Sequence, residues 1–374
     1  MTKILVTGVT GVVGKGTVEH LIKKGVPENQ IIGLSRKKEG IEELAAKGVE
    51  VRFGDYFNYD SLIQAFAGID KLMLTSTVAF TDRFTQHYNA ITAARQAGVK
   101  HIVYMSIMRK EGSGRTMPEI TESDLFTEQL LKSSGLDYTI LYHPPFMDLL
   151  SFYYGSNPYE NGIKVPASNG KMAPATRDEI SEAHAEILST QGHENKSYSL
   201  SGSDSVSFSD IAKILEELTG QTVDFTNITS EDYINLIVAQ GPPRHVAEFI
   251  TSWIVAIQEG EFENQSGDLE GFLGRKSQTF REYIASTLFS RSEISSSESP
   301  WCAVSFSSED SSSTSPIHTL LKRPLLCNPE HIKAYNSSPR AFFNSAAICR
   351  VFSKNWTSFA FSFLKWLMAL WSAK

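Results

Sequence analysis

No cysteine occurs in the first 300 residues of this 374-residue chain; Cys302, Cys327 and Cys349 all lie near its C-terminal end. A disulfide framework, a thiolate metal site and a cysteine nucleophile are therefore excluded from most of the chain, and no metal site is expected. Positive charge is also in short supply. Thirty-five Lys and Arg face 42 Asp and Glu, a formal net charge of −7, which speaks against a nucleic-acid surface. No signal segment precedes the first apolar run, because Met1-Thr2-Lys3 leads straight into Ile4-Leu5-Val6, and a cytoplasmic protein is expected. A membrane span needs roughly 20 apolar residues; the stretch from Trp356 to Trp371 is 16 long and broken by Lys365.

What is present begins at the N-terminus. Residues 4–14, Ile-Leu-Val-Thr-Gly-Val-Thr-Gly-Val-Val-Gly, set Gly8, Gly11 and Gly14 three apart, after an apolar run and before an amphipathic stretch with Val13, Val18, Leu21 and Ile22 at helical spacing. This is the pattern of a dinucleotide-binding turn. Gly8 lets the chain leave the strand sharply, Gly11 lets a pyrophosphate approach the backbone, and Gly14 lets the helix pack close. The phosphates then meet the positive end of a helix.

A second apolar run, Gln30 to Leu34, is followed by Ser35-Arg36-Lys37-Lys38, with no carboxylate until Glu39. Sites for NAD usually place Asp or Glu there to hold the ribose 2′-hydroxyl, whereas a 2′-phosphate needs positive charge. Arg36 can fork onto phosphate oxygens, so NADPH is the expected cofactor.

Strands and helices then alternate, which predicts an α/β protein with a Rossmann-type doubly wound parallel sheet. Strands are expected over Val49–Phe53, Lys71–Thr75, His101–Ser106 and Tyr138–Tyr142. Helices are expected over Ser61–Phe66, capped by Asp60; over Arg83–Gln96; and from Thr121, opened by a Thr-Glu-Ser-Asp capping box, to Ser134. Ligands of such sheets sit beyond the carboxyl ends of the strands, so Thr7, Arg36, Asp55, Thr75, Ser76, Thr77, Ser106 and His143 should converge on one crevice. Residues 1–143 are expected as the dinucleotide-binding domain, to which later segments can contribute, 144–289 as a smaller substrate lobe, and 290–374 as a tail.

Thr7-Gly8-Val9-Thr10-Gly11-Val12-Val13-Gly14, the Arg36 position, Gly54-Asp55-Tyr56, Gly98-Val99-Lys100-His101 and Lys171-Met172-Ala173-Pro174-Ala175-Thr176-Arg177 together resemble the NmrA-like branch of the atypical short-chain dehydrogenases, and within it the NADPH:quinone reductases. The resemblance runs to about residue 287. It implies that Gly8, Thr10, Gly11, Val12, Val13 and Gly14 hold the pyrophosphate and that Arg36 selects NADPH. It also implies that Asp55 lies beside the adenine and that Thr75, Ser76 and Thr77 approach the nicotinamide ribose; the same three residues would equally serve as hydrogen-bonded strand ends.

The chain also departs from the family. Ordinary short-chain dehydrogenases use a Tyr four residues before a Lys as proton donor, and none of the 13 tyrosines here has Lys at that offset. Many quinone reductases of the branch carry a lysine where this chain has Gln129, and Arg-Asn or Arg-Pro where it has His143-Pro144. Quinone reduction tolerates the loss, because the reduced oxygen is already a stabilised phenolate. It needs a flat apolar slot and one or two donors. Phe80, Tyr142, Phe146, Phe152, Tyr153 and Tyr154 are candidates for the slot, and His143, with Tyr142, for the donor. A second reading shares the crevice: a non-catalytic NmrA-like sensor that binds NADP(H) and reports redox state to a protein partner.

In the second lobe, Arg177–Ser189 reads as a helix, Lys196–Leu200 as a strand and Phe208 to Gly220 as a helix. Arg244 to Glu259 reads as a helix whose stripe of Val246, Phe249, Ile250, Trp253, Ile254 and Ile257 fits core or a subunit contact, leaving a homodimer open. From Ser290 to Ser315, 13 of 26 residues are serine, a composition that cannot bury enough surface to order itself.

Overall fold

The computed structural model describes residues 2–155 and 157–296; the apolar stretch near the C-terminus and the larger part of the serine-rich segment, from residue 297 on, lie outside them. Residues Met1–Ser292 form one compact unit.

Along the chain, β1 (Ile4–Thr7) leads into α1 (Val12–Lys23), β2 (Ile31–Ser35) into the short α2 (Glu42–Ala46), and β3 (Glu50–Phe53) into α3 (Tyr59–Phe66). Next come β4 (Lys71–Leu74), α4 (Arg83–Gln96), β5 (His101–Ile107), α5 (Thr121–Ser133) and β6 (Asp137–His143). Beyond β6 follow α6 (Ser151–Tyr154), α7 (Pro158–Asn161), β7 (Ile163–Val165), β8 (Lys171–Met172), α8 (Arg177–Ser189) and β9 (Lys196–Ser199). The last elements are β10 (Val206–Ser207), α9 (Phe208–Thr219), β11 (Phe225–Asn227), α10 (Ser230–Ala239), α11 (Arg244–Gln258), α12 (Asp268–Leu273) and α13 (Phe280–Ser296).

Seven strands form one sheet in the order β3-β2-β1-β4-β5-β6-β9, all parallel. The order reverses between β1 and β4, the point at which sheets of this kind bind ligands beyond the carboxyl ends of their strands. Alternate strand residues face opposite layers. Leu5, Leu72, Ile102 and Tyr104 pack with the helical residues Leu62, Phe66, Ile91 and Leu131, while Val6, Met73, Val103 and Leu141 pack with Val13, Val18, Ile180 and Leu188. The two helix layers thus consist of α3, α4 and α5 on one face and α1 and α8 on the other.

Segments beyond residue 143 contribute to the sheet and to one of its helix layers. The helix α8 lies against α1, and β9 adds to the sheet with Thr139 opposite Lys196. A strand late in sequence thus becomes the edge of the sheet beyond β6. What remains of the second lobe is built around two small ladders, β7 with β11 and β8 with β10, over buried Val165, Phe208, Ile211 and Phe262.

Two expected helix starts are corrected. Asn58, not Asp60, caps α3, its side chain accepting from Ser61 N at 3.1 Å. No capping box forms at Thr121: its hydroxyl accepts from Met117 N at 2.8 Å, and the Asp124 carboxylate is taken up by Arg83 instead.

Candidate functional site

The strand β1 ends at Thr7 and the chain turns at Gly8, whose φ of +66° lies in the left-handed region that favours glycine. Gly11 N donates to Gly8 O at 2.9 Å. A Cβ on Gly14 would stand 2.4 Å from Gly8 O and 2.8 Å from Thr7 O, so the helix can start this close to the strand only without a side chain. The helix α1 has Gly11 as its N-cap, with no side-chain cap and no acidic residue in its first turn. Its leading N–H groups are therefore left for an anion. Gly8, Thr10, Gly11 and Val12 are exposed there. Val13 is not: its side chain is buried with Val6 and Ile180, so Val13 and Gly14 can meet a ligand through backbone only. Lys15 is engaged by Glu43.

Next to this cradle, Arg36, Lys37 and Lys38 are exposed. The Ser35 hydroxyl fixes the bend, donating to Lys37 O at 2.8 Å and accepting from Lys37 N at 3.2 Å. Among the described residues no carboxylate pairs with Arg36. Gly40 folds back so that its Cβ position lies 3.7 Å from Thr10 Cγ2, which puts the basic segment against the glycine turn. Asp55 Oδ1 accepts from Phe57 N at 2.9 Å and shapes the turn after β3. Tyr56, not expected as a site residue, joins these parts: its hydroxyl donates to Thr75 O at 3.4 Å. Burial pushes its phenol up, and the Arg36 guanidinium acts against that.

The end of β4 is tied on both sides. Thr75 Oγ1 donates to Thr7 O at 3.0 Å while Thr75 N donates to Thr7 Oγ1 at 2.9 Å. Ser76 donates to Met105 O. Thr77 N donates to His87 Nε2 at 3.1 Å, and Arg83 donates to Thr77 O. All three hydroxyl residues thus secure strand ends at the switch point, where each keeps acceptor capacity. Behind them Arg83, 3% exposed, pairs with Asp124 and donates to Ser123 Oγ at 2.7 Å; Tyr104 donates to Asp124 at 2.7 Å. His87 also meets Thr127 Oγ1 at 2.9 Å, and burial lowers its imidazole to about 3. Nothing in the sequence pattern flagged this buried support.

The expected donor pair separates. Tyr142 and His143 are consecutive in a strand, and their side chains go to opposite faces. Tyr142 faces α5, its hydroxyl 3.4 Å from Glu128 Oε2, with Arg109 5.7 Å over its ring. Burial, and then the Glu128 carboxylate, raise its phenol. His143 faces α8 and is 2% exposed. Its Nδ1 lies 2.8 Å from Ser106 O and must donate, since a carbonyl only accepts; its Nε2 then accepts from His184 Nε2 at 2.7 Å. Burial lowers His143 to about 4. With both ring nitrogens used and the ring enclosed, His143 has no atom to offer a substrate. Gln129 is exposed, and the neighbour that α5 turns toward the sheet is Glu128, held by Ser106 Oγ and Arg109, each at 2.7 Å.

Of the expected aromatic wall, Phe146 packs half-buried onto the sheet core, 6.4 Å from the His143 ring. Phe80 instead reaches α11: its ring meets His245 at 5.3 Å and Phe249 at 5.1 Å, both edge to face. Its φ of +61° is left-handed, which is rare for a bulky residue. A cavity of about 560 Å³ lies elsewhere, at the amino ends of β1 and β4, lined by Ile4, Lys24, Lys71, Glu186 and Thr190.

A parallel sheet with this order, a glycine turn opening onto an uncapped helix and polar strand ends at the reversal define a dinucleotide-binding α/β protein of the Rossmann type. The profile of the NmrA-like family matches residues 1–284, and the chain belongs to that family. It is 32% identical to quinone oxidoreductase 2 of Escherichia coli over 285 residues, which cover 75% of this chain and 97% of that protein. To the NAD(P)H azoreductase of Xenophilus azovorans it is 25% identical, covering 75% and 96%. Among solved structures, the E. coli NADPH-dependent quinone oxidoreductase in complex with NADPH superposes with a TM-score of 0.72 at 30% identity, covering 76% of this chain and 99% of that one. The triphenylmethane reductase of Citrobacter sp., complexed with NADP(H), gives 0.70 at 34% identity, covering 76% and 99%.

Proposed function

We propose that the chain is an NADPH-dependent oxidoreductase that reduces a planar, quinone-like small molecule. The observation that carries the cofactor is the uncapped start of α1 beside an exposed Arg36 with no carboxylate partner among the described residues. The residues fit the group: the Gly14 contact to Gly8 O shows a cradle that a Cβ would fill, and related reductases are described with NADPH. Gly8, Thr10, Gly11 and Val12 would hold the pyrophosphate, Arg36 the 2′-phosphate, and the Thr75–Thr77 segment the nicotinamide end.

Once bound, the cofactor supplies a hydride. The protein's own part is placement and exclusion of water. The buried network of Arg83, Asp124 and His87 fixes the β4 end, and Phe80 offers an aromatic face next to it. A quinone suits such a site, since its reduced oxygen is a stabilised phenolate and needs no Tyr-Lys acid.

The test is NADPH oxidation followed by absorbance, with and without 1,4-naphthoquinone. Oxidation that depends on the quinone is expected. Tight NADPH binding with no oxidation by quinone or azo acceptors would return the sensor reading. Arg36→Glu should weaken NADPH binding by roughly 10- to 100-fold, the worth of a charge-assisted contact, and leave NADH binding nearly unchanged; equal losses for both would remove Arg36 from cofactor choice.

A further inference from the structure

Seven histidines lie among the described residues, and six have their ring nitrogens engaged or enclosed. His20 meets Asp178 at 2.9 Å; His87 meets Thr77 and Thr127; and His101, 3% exposed, meets Thr139 at 2.8 Å. His143 and His184 meet each other, and His193 meets Thr190 and Tyr198. His245 differs on every count. It is exposed, and among the described residues neither of its ring nitrogens has a hydrogen-bond or ion-pair partner.

Its position is equally particular. His245 is the second residue of α11, a helix with Pro243 as N-cap and no side-chain cap. Its neighbour Arg244 is turned away and held by Glu231 and Glu248. The imidazole stands edge to face on Phe80 at an interplanar angle of 82°. Phe80 is three residues beyond Thr77, on the segment that leaves the crevice at β4. Phe249, one turn further along α11, closes on the same ring at 67°. Phe80, His245 and Phe249 therefore make an aromatic corner with one polar edge. The left-handed backbone of Phe80 is a conformation that persists only where its surroundings hold it.

We infer that His245 is the residue that meets the acceptor, donating a ring N–H to a carbonyl oxygen of a planar aromatic molecule stacked in the corner with Phe80 and Phe249. The inference rests on the oxidoreductase reading and names its substrate-facing donor. An imidazole carries at least one ring N–H, so the ring can act as a donor. The uncapped end of α11 adds partial positive charge on the side where the oxygen would lie. Tricyclic and bicyclic aromatic ketones and quinones have the required flat face and in-plane oxygen.

Two variants separate donor from ring. His245→Phe keeps the contact with Phe80 and removes the N–H; His245→Gln keeps a donor and removes the ring. Without NADPH, binding of 9-fluorenone and of its oxygen-free analogue fluorene is read by quenching of tryptophan fluorescence. Fluorenone should bind His245→Phe roughly three- to tenfold more weakly than wild type, the size of one neutral hydrogen bond, while fluorene binds both alike. His245→Gln should recover part of the difference. With NADPH, kcat/KM for 1,4-naphthoquinone should fall in His245→Phe while the Kd for NADPH and the thermal midpoint stay at wild-type values. Unchanged fluorenone binding and unchanged kcat/KM in His245→Phe, in a wild type that reduces the quinone, would overturn the inference and leave the oxidoreductase reading standing. A wild type that binds no fluorenone and reduces no quinone would overturn both.

Discussion

Gly14 shows how much a single residue can decide. Its missing Cβ would stand 2.4 Å from a backbone oxygen that cannot move without opening the turn. Gly14→Ala should therefore push α1 away from Gly8, cost about 1–3 kcal/mol in stability as overpacking does, and lower NADPH affinity at least roughly tenfold. Gly114, with nothing within 4 Å of its Cβ position, provides the contrast, and Gly114→Ala should be close to neutral. Calorimetric titration with NADPH measures both; near-equal affinities for the two variants would mean that the turn is not the cradle. The spacing of the three glycines was legible because each answers a local steric demand. The roles of Tyr142 and His143 were not, although the rule that separates them, the alternation of strand side chains, needs only their adjacency in one strand. His245 had no sequence signal at all: it lies 165 positions from Phe80 and meets it only in the folded chain.

Among the elements, α5 opens on a capping-box pattern in the sequence, and in the structure its carboxylate serves a tertiary partner instead. Asp124 is fully buried and pairs with Arg83 of α4, and the pair holds Thr77 O through the same guanidinium. Removing one partner leaves an uncompensated buried charge, which costs about 3–5 kcal/mol. Asp124→Ala should show that loss in urea unfolding, and the double variant Arg83→Leu with Asp124→Leu should recover much of it. A single variant within about 1 kcal/mol of wild type would mean that water reaches the pair. The Thr121-Glu-Ser-Asp pattern could not disclose this, because a carboxylate three residues into a helix serves a cap or a tertiary partner equally well and only packing chooses. By contrast, the bounds of α4 and α8 matched their sequence patterns, since their Asp82 and Thr176 caps compete with no buried partner.

Across the whole molecule, several histidines are enclosed. Burial lowers His87 to about 3 and His101 and His143 to about 4. Between those values and the unfolded value near 6.5 the unfolded chain binds more protons than the folded one, so stability is complete above pH 6.5 and falls as the solution is acidified. Each such histidine contributes a slope of up to about 1.4 kcal/mol per pH unit. Urea midpoints should hold steady from pH 8 to 7 and decline from 6.5 to 4. A flat profile across that lower window would show that these rings are reached by water when folded.

The sequence by itself determined the alternation of strands and helices, the glycine turn and the basic residue that follows β2, because strand sterics, helix termini and the charge of a phosphate are satisfied within a few neighbouring residues. Only the tertiary structure decided that β9 returns to extend the sheet, that Arg83 and Asp124 support the β4 end from behind, and that His143 is enclosed while His245 faces the crevice aromatics. Those outcomes depend on which surfaces are left to bury, and burial is settled between segments far apart in the chain.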